Sequence, residues 1–290
     1  MDNKTEFNWP LYKYTDLKGV KEIIKNSTVR FSSPNIFNDP FELQLYDDII
    51  FDDEFLEDLC TNFADHLIKC DTKFLSEEMK SLRDVIINLS EHKLGILRQE
   101  NRAKIVNFDK AKRVKRESLT ELQKSLNDFG ILCFSETNDS LLMWAHYAEK
   151  HKGAVLGFRP NMELDSCFKL FKAVNYSQQR PVFLKNPSEF FDLKKNFKDR
   201  FEEVIFTKSK EWEYEKECRL FIPDIIKDGI DFYDLRFHSD ELVSIHLGCK
   251  MKDDDKREII DGAKILNGGV KIFEAELDVK SYKINFFAVS

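Results

Sequence analysis

Glycine is scarce in this 290-residue chain, with ten against 26 phenylalanines. None of the ten falls into GxGxxG, GxxxxGKS or GxxxxGKT, so the loops that cradle phosphates with backbone N–H groups are missing. HExxH and GxSxG are absent as well. The six cysteines (Cys60, Cys70, Cys133, Cys167, Cys218, Cys249) form no CxxC pair and have no histidine at zinc-ligand spacing. That pattern points to buried, reduced thiols and no metal. No apolar run approaches membrane-spanning length, and the opening MDNKTEFNWPLYKY has no apolar core of the signal-peptide kind. A cytoplasmic protein with no membrane partner is therefore expected. The net charge of -7 argues against broad phosphate-backbone binding and leaves room only for a local basic groove. Any chemistry must come from scattered polar side chains.

Proline is also unevenly used. Between Phe41 and Phe129 there is none, and only one glycine, Gly95. In that stretch Phe55, Leu59, Phe63 and Leu67 recur every four residues, the period of one helical stripe. Ser76 is placed to cap a following helix, and Ser118 with Glu121 has the spacing of a capping box. Three or four helices are predicted, forming an insertion or lobe over 47–127 inside a single domain of 1–290. The flanking zones read differently. Strands are expected at Leu11–Tyr14, TVRFSS, ILCFSE, AVLGFR, FKAVNYS, ELVSIHLGC and YKINFFAV. Helices are expected at DLKGVKEIIKN, capped by Thr15 or Asp16, and at KDDDKREIIDGAKIL. A third, SLLMWAHYAEKHK, has Asn138 or Asp139 as its cap and Gly153 as its end. These do not alternate as a clean βαβ series. The fold class is therefore α+β, with a mixed or antiparallel split sheet.

Three stretches concentrate polar residues. In KEWEYEKECRLF, Lys210 to Phe221, a period of two puts Glu211, Glu213, Glu215, Glu217 and Arg219 on one strand face. Stacked like charges weaken a sheet, so the stretch is either a solvated edge, a helix, or a site that uses carboxylates. A carboxylate beside an oxocarbenium-like centre can stabilise it or hold sugar hydroxyls. The second stretch, CFSETNDSLLMWAHYAEKHKG, brings Ser135 to a strand end and follows it with Trp144, His146 and Tyr147 on a helix. Packing of Trp144 and Tyr147 into the core is the better account of either ring taken alone, and the polar density at a strand end is what raises the cluster. In the third, LYKYTD with FSSPNIFNDPFE, Lys13, Tyr14, Ser32, Asn38 and Asp39 are candidates for one cleft. Turn chemistry alone explains Asp39 before Pro40.

The segments YKYTD with RFSSPNIFNDPFE, CFSETNDSLLMWAHYAEKHKGAVLGF, KSKEWEYEKECRLF and VSIHLGCKM resemble, in that order, the bacterial domain-of-unknown-function 2971 family. That name implies no activity. The order of parts also resembles the ADP-ribosyltransferase fold: a first strand with His or Arg beside a helix, a strand with Ser or Tyr, and a last strand with a catalytic Glu, sometimes as ExE. The resemblance aligns YKYTDLKGVKEIIKN with the first part, with Lys13 at the histidine position and Tyr12 or Tyr14 as substitutes. It aligns Ser135 with the second and Glu215-Lys216-Glu217 with the third.

It implies NAD as substrate, no metal, Glu217 as catalytic carboxylate and Glu215 as the residue orienting an acceptor. Lys13, Tyr14, Ser135, Trp144, His146, Tyr147, Trp212 and Arg219 would then hold the dinucleotide. The acceptor would be protein, nucleic acid, a small molecule or water, water making the enzyme an NAD glycohydrolase. A non-catalytic ligand- or protein-binding module on the same fold is the alternative. A metal-dependent nuclease of the (D/E)xK type ranks third, because Tyr214 stands where its acidic residue belongs.

Overall fold

The computed structural model describes residues 7–45, 53–104, 108–182, 200–227 and 229–289. The chain divides into two compact units. One comprises 1–39, 127–176 and 208–290, and the other 40–126 with 177–207. No described helix is long and apolar enough to cross a membrane.

The first unit is built on an open mixed sheet. Its strands are β1 (Leu11–Thr15), β2 (Thr28–Ser32), β3 (Gly130–Ser135), β4 (Ala154–Phe158), β5 (Lys172–Ala173), β8 (Glu217–Ile222), β9 (Phe232–Arg236), β10 (Leu242–Leu247), β11 (Lys271–Leu277) and β12 (Ile284–Ala288). Along the main path the order is β12-β11-β10-β4-β1-β3-β2-β9. Strand β8 pairs with β3 and β5 off that path. Among the described residues of this sheet β10 and β11 run parallel and the other pairings are antiparallel. Two further short strands, β6 (Asn175–Ser177) and β7 (Thr207–Ser209), form a ladder of their own. The α+β class with a mixed sheet is as the sequence implied. Strands β9 and β11 were not foreseen, and FKAVNYS is two short strands around Val174.

One face of the sheet packs on α1 (Leu17–Asn26) and α8 (Asp253–Leu266). Val20, Ile23 and Ile24 of α1 and Ile259 and Ala263 of α8 join Leu11, Leu132, Phe134, Leu156, Phe158, Cys218 and Leu220 in the main core. Asp16 caps α1 by accepting a hydrogen bond from the Gly19 N–H. Lys21 ties the two helices at the surface through Asp255 and Glu258. The opposite face carries a second cluster, in which Tyr14, Val155, Ala275 and Ile284 meet Met143, Trp144 and Ala148. Met143 and Trp144 belong to α7 (Leu141–Tyr147), whose cap is Ser140 and not Asn138 or Asp139. This helix stops at Tyr147, well short of Gly153. Gly153 instead sits where any Cβ would come 2.1 Å from the Thr15 carbonyl oxygen, so the close approach of β1 admits only glycine.

The second unit is helical over most of its described length. Its described helices include α2 (Asp53–Thr61), α3 (Phe63–Lys69), α4 (Glu77–Ile87), α5 (Glu91–Lys104) and α6 (Phe108–Asn127), the last ending at the unit boundary, and residues 200–205 are helical as well. Phe55 and Leu59 are buried on α2 and Leu67 on α3, in line with the four-residue stripe. Ser76 caps α4 by accepting from the Met79 N–H. The capping box at Ser118 and Glu121 does not form, because both residues lie inside the unbroken α6. Strong helix formers on either side carry the helix straight through Ser118.

Candidate functional site

The KEWEYEKECRLF stretch is not one strand. Lys210–Glu215 is a 3-10 turn capped by Ser209, and β8 begins only at Glu217. Between them Lys216 adopts the left-handed conformation, φ 44° and ψ 50°, with its N–H donating to the Glu213 carbonyl. Glu211 and Glu213 are exposed, whereas Glu215 and Glu217 are buried, 3% and 5% exposed. The left-handed residue turns both carboxylates toward one cation. Lys208 Nζ donates to Glu215 Oε2 at 2.6 Å and to Glu217 Oε2 at 2.8 Å.

Every oxygen of the pair is engaged. Arg219, with no exposed surface, grips Glu217 through Nε to Oε1 at 2.7 Å and Nη2 to Oε2 at 3.0 Å. Glu215 Oε1 accepts from the Tyr147 hydroxyl at 2.7 Å, and Tyr147 in turn accepts from the exposed Asn38 amide at 3.3 Å. The Glu217 N–H donates to the Tyr176 hydroxyl at 2.7 Å. Cys133 lies opposite Arg219 in the ladder, and burial raises its pKa, with the Glu217 charge acting in the same direction.

Burial raises the Glu217 pKa, with Lys208 pulling the other way. For Lys208 burial acts downward, but Glu217 and Glu215 together lift it well above the usual ammonium value. Burial lowers the Arg219 pKa, opposed by the nearby Asp39 carboxylate, and the guanidinium remains a cation at neutral pH. Burial and the Glu215 charge raise the Tyr147 hydroxyl, which therefore stays a donor.

Register sets the frame. Antiparallel partners point to the same side of a sheet. Ser244, Gly157, Tyr12, Ser135 and Glu217 lie opposite one another on β10, β4, β1, β3 and β8, forming one row across five strands. Gly157 is in that row because a Cβ there would stand 2.3 Å from Ser244 Oγ and 3.3 Å from Tyr12 Cε1. Strands β1 and β3 meet at the single pair Tyr12–Ser135, so Tyr12, not Lys13, holds the register position beside Ser135. Lys13 pairs with Leu156 of the main core, and its Nζ lies 5.8 Å from the Phe134 ring centroid. Burial lowers its pKa, with Cys133 and Glu217 acting against that shift.

The remaining candidates separate. Ser135 is buried and fully used: its hydroxyl donates to the Glu215 carbonyl at 2.6 Å and accepts from the Thr137 N–H at 3.1 Å. Tyr14 donates to the Thr137 carbonyl, and Trp144, completely buried, donates to the Asn138 carbonyl at 2.8 Å. The Trp144 ring is flanked by Tyr14, His151 and Phe286, which places it in the core. His146 is exposed, edge-on to Tyr147. Trp212 is half-buried with Lys208 Nζ 5.2 Å over its ring. Ser32 pairs with Ile131 and Phe232 within the sheet, while Asp39 is buried near Arg219. Lys208, Tyr176 and Cys133 escaped the sequence reading. The signal for Lys208 was its place at the head of KSKEWEYEKECRLF, where a lysine among charges passes for surface.

Comparison with known proteins bears on this segment. Residues 143–220 match the model of the family described as "Protein of unknown function (DUF2971)". The match supports the DUF2971 family and covers α7 from Met143 onward, with Tyr147, Lys208, both glutamates and Arg219. No curated protein and no solved structure matches the chain significantly. The DUF2971 match thus takes in most of the carboxylate cluster but neither Tyr12 nor Ser135. Among the described residues, no group of three or more His, Cys, Asp or Glu side chains is placed to hold a metal ion.

Proposed function

We propose that the carboxylate cluster is the reacting end of a nucleotide site that cleaves the nicotinamide–ribose bond of NAD, passing ADP-ribose to an acceptor or to water. The observation that carries this reading is the row itself. Tyr12, Ser135 and Glu217 stand side by side on three adjacent strands and on one face, the arrangement that the three transferase-like parts of the sequence call for.

In the reaction, the C1′–N bond breaks and its electron pair leaves with nicotinamide, which departs neutral. The positive charge left on the ribose is stabilised by carboxylate, and the nucleophile that adds to C1′ releases its proton to solvent. Glu217 would serve as that carboxylate. Glu215 Oε1 is the point of exchange, because its partner is a neutral hydroxyl shared with exposed Asn38, and a ribose hydroxyl can replace Tyr147 there. The pyrophosphate would be drawn to Lys208 and Arg219.

A binding module without catalysis is the second reading, favoured by the ion pairing of both Glu217 oxygens, which neutralises the charge the chemistry needs. Incubation with NAD separates the two. Nicotinamide release that falls by about a thousandfold in Glu217→Gln, a loss typical of a principal electrostatic stabiliser, supports the transferase. NAD binding without release supports the module, and equal slow release from both proteins ends the catalytic reading.

A further inference from the structure

The loop 136–140, between β3 and α7, joins two distant parts of the sheet face. At its start the Glu136 N–H donates to the Lys216 carbonyl at 3.0 Å, and Ser135 binds both the Glu215 carbonyl and the Thr137 N–H. At its middle, Asn138 Nδ2 reaches His246 Nε2 of β10 at 3.3 Å. At its end Ser140 caps the helix that carries Tyr147, the partner of Glu215. The loop together with Ser135 before it therefore touches the carboxylate motif twice and β10 once.

His246 is an unexpected residue for that place. It is 5% exposed, stacked 4.9 Å from the Phe273 ring and edge-on to Phe286 and Tyr12. Among the described residues its Nδ1 is buried without a hydrogen-bond partner, and its Nε2 meets Asn138 and the Ser244 hydroxyl, each at 3.3 Å. An apolar side chain would fill this aromatic nest without leaving a buried polar atom unpaired. What the imidazole adds is an acceptor at Nε2 for the Asn138 amide. Burial holds the ring neutral down to a pKa of about 4, which keeps that lone pair available.

We infer that His246 and Asn138 form a positioning pair, which anchors the 136–140 loop and thereby sets the Tyr147 hydroxyl against Glu215. Neither residue touches the carboxylates; both act through the loop and α7. The consequence for ligand exchange at Glu215 Oε1 rests on the nucleotide-site reading, but the anchoring itself does not.

The test therefore reads Tyr147 directly. In protein labelled with 13C-tyrosine, the Tyr147 resonance is assigned by its disappearance in Tyr147→Phe. Asn138→Ala and His246→Leu are expected to shift it alike, and the double variant no further than either single one. His246→Gln, whose side-chain amide oxygen can accept at the Nε2 position, should return the signal toward the wild-type position. Circular dichroism confirms that each variant is folded, and if His246→Leu is not, the half-buried Asn138→Ala carries the test. An unmoved Tyr147 signal in folded Asn138→Ala, or independent and additive shifts from the two sites, overturns the inference. With NAD as probe, affinity should fall on the order of tenfold in each single variant, since small misplacements at a site are costly. Failure of the wild type to bind NAD defeats the nucleotide reading alone, because the tyrosine signal is scored without ligand.

Discussion

Lysine is seldom buried, and Lys208 is kept in the interior by two carboxylates at 2.6 and 2.8 Å. Removing one member of such a set leaves an uncompensated charge, and here the loss would set two buried glutamates against each other. Lys208→Met is expected to lower stability by roughly 3–5 kcal/mol, as for broken buried pairs. Adding Glu215→Gln to Lys208→Met should recover part of that loss, because the repelling charge is gone. Urea denaturation of the two single variants and the double checks this as a cycle, and strict additivity would count against a shared network. At this scale the sequence was partly informative. Spacing left Glu215 and Glu217 level with Glu211 and Glu213, and only the transferase resemblance singled them out; with Arg219 they do assemble around Lys208. The lysine that joins them could not be singled out, because a charged residue in a charged run carries no mark of burial. Core packing of Trp144 was legible from its helix, whereas Ser135 was visible only as a strand-end serine, because the Glu215 carbonyl it binds lies 80 positions away in the sequence.

At the scale of the element, the decisive feature is the break at Lys216. Two residues apart on a continuous strand, the glutamate side chains would lie about 6.6 Å apart along one face. The 3-10 turn and the left-handed residue bring them onto a single ammonium instead. Lys216 is exposed, so its backbone and not its side chain serves the site. A β-branched residue tolerates positive φ poorly, and Lys216→Val should cost roughly 1–2 kcal/mol. Lys216→Gly should be neutral or slightly stabilising. Thermal melts of the pair test this, and equal loss from both would point to a role for the lysine side chain.

Period and cap signals revealed most of the elements: α1 with Asp16, α4 with Ser76, and strands β1, β2, β3 and β4. The alternation of KEWEYE suggested a strand, yet the segment forms a 3-10 turn in which Glu211 and Glu213 are exposed and Glu215 is buried, so its two-residue period does not follow burial. Strand β11 was missed because Ile272 belongs to the main core while Phe273 stacks on His246 across the sheet. A strand covered on both faces loses its alternation.

For the whole molecule, composition and patterning indicated α+β with a mixed sheet, but not the strand order, which depends on pairings between residues more than a hundred positions apart. The division into units draws 177–207 together with 40–126, a pairing that local signals do not carry. A global consequence concerns acid. His246 has its pKa pushed down from 6.5 to about 4 by burial, so the folded chain favours the neutral ring. The associated stability is complete above pH 6.5 and is lost as pH falls from 6.5 to about 4, since the unfolded chain takes up the proton first. The shift corresponds to on the order of 3 kcal/mol. His246→Phe should flatten the fall in unfolding free energy across that window. A slope equal to that of the wild type would assign the acid sensitivity to other groups.

The buried set of Glu215, Glu217, Lys208 and Arg219 balances two anions with two cations, and none of the four exposes more than 7% of its surface. Dissolved ions screen charges that water reaches, with a Debye length of about 3 Å at 1 M salt, and act far less on charges it does not reach. Pairs such as Lys18–Glu22 on α1 are open to such screening. Concentrated salt would therefore strip the molecule of its peripheral pairs while leaving the central quartet in place. An anion that does displace Glu217 from Arg219 or Lys208 must do so by fitting the interior, not by ionic strength.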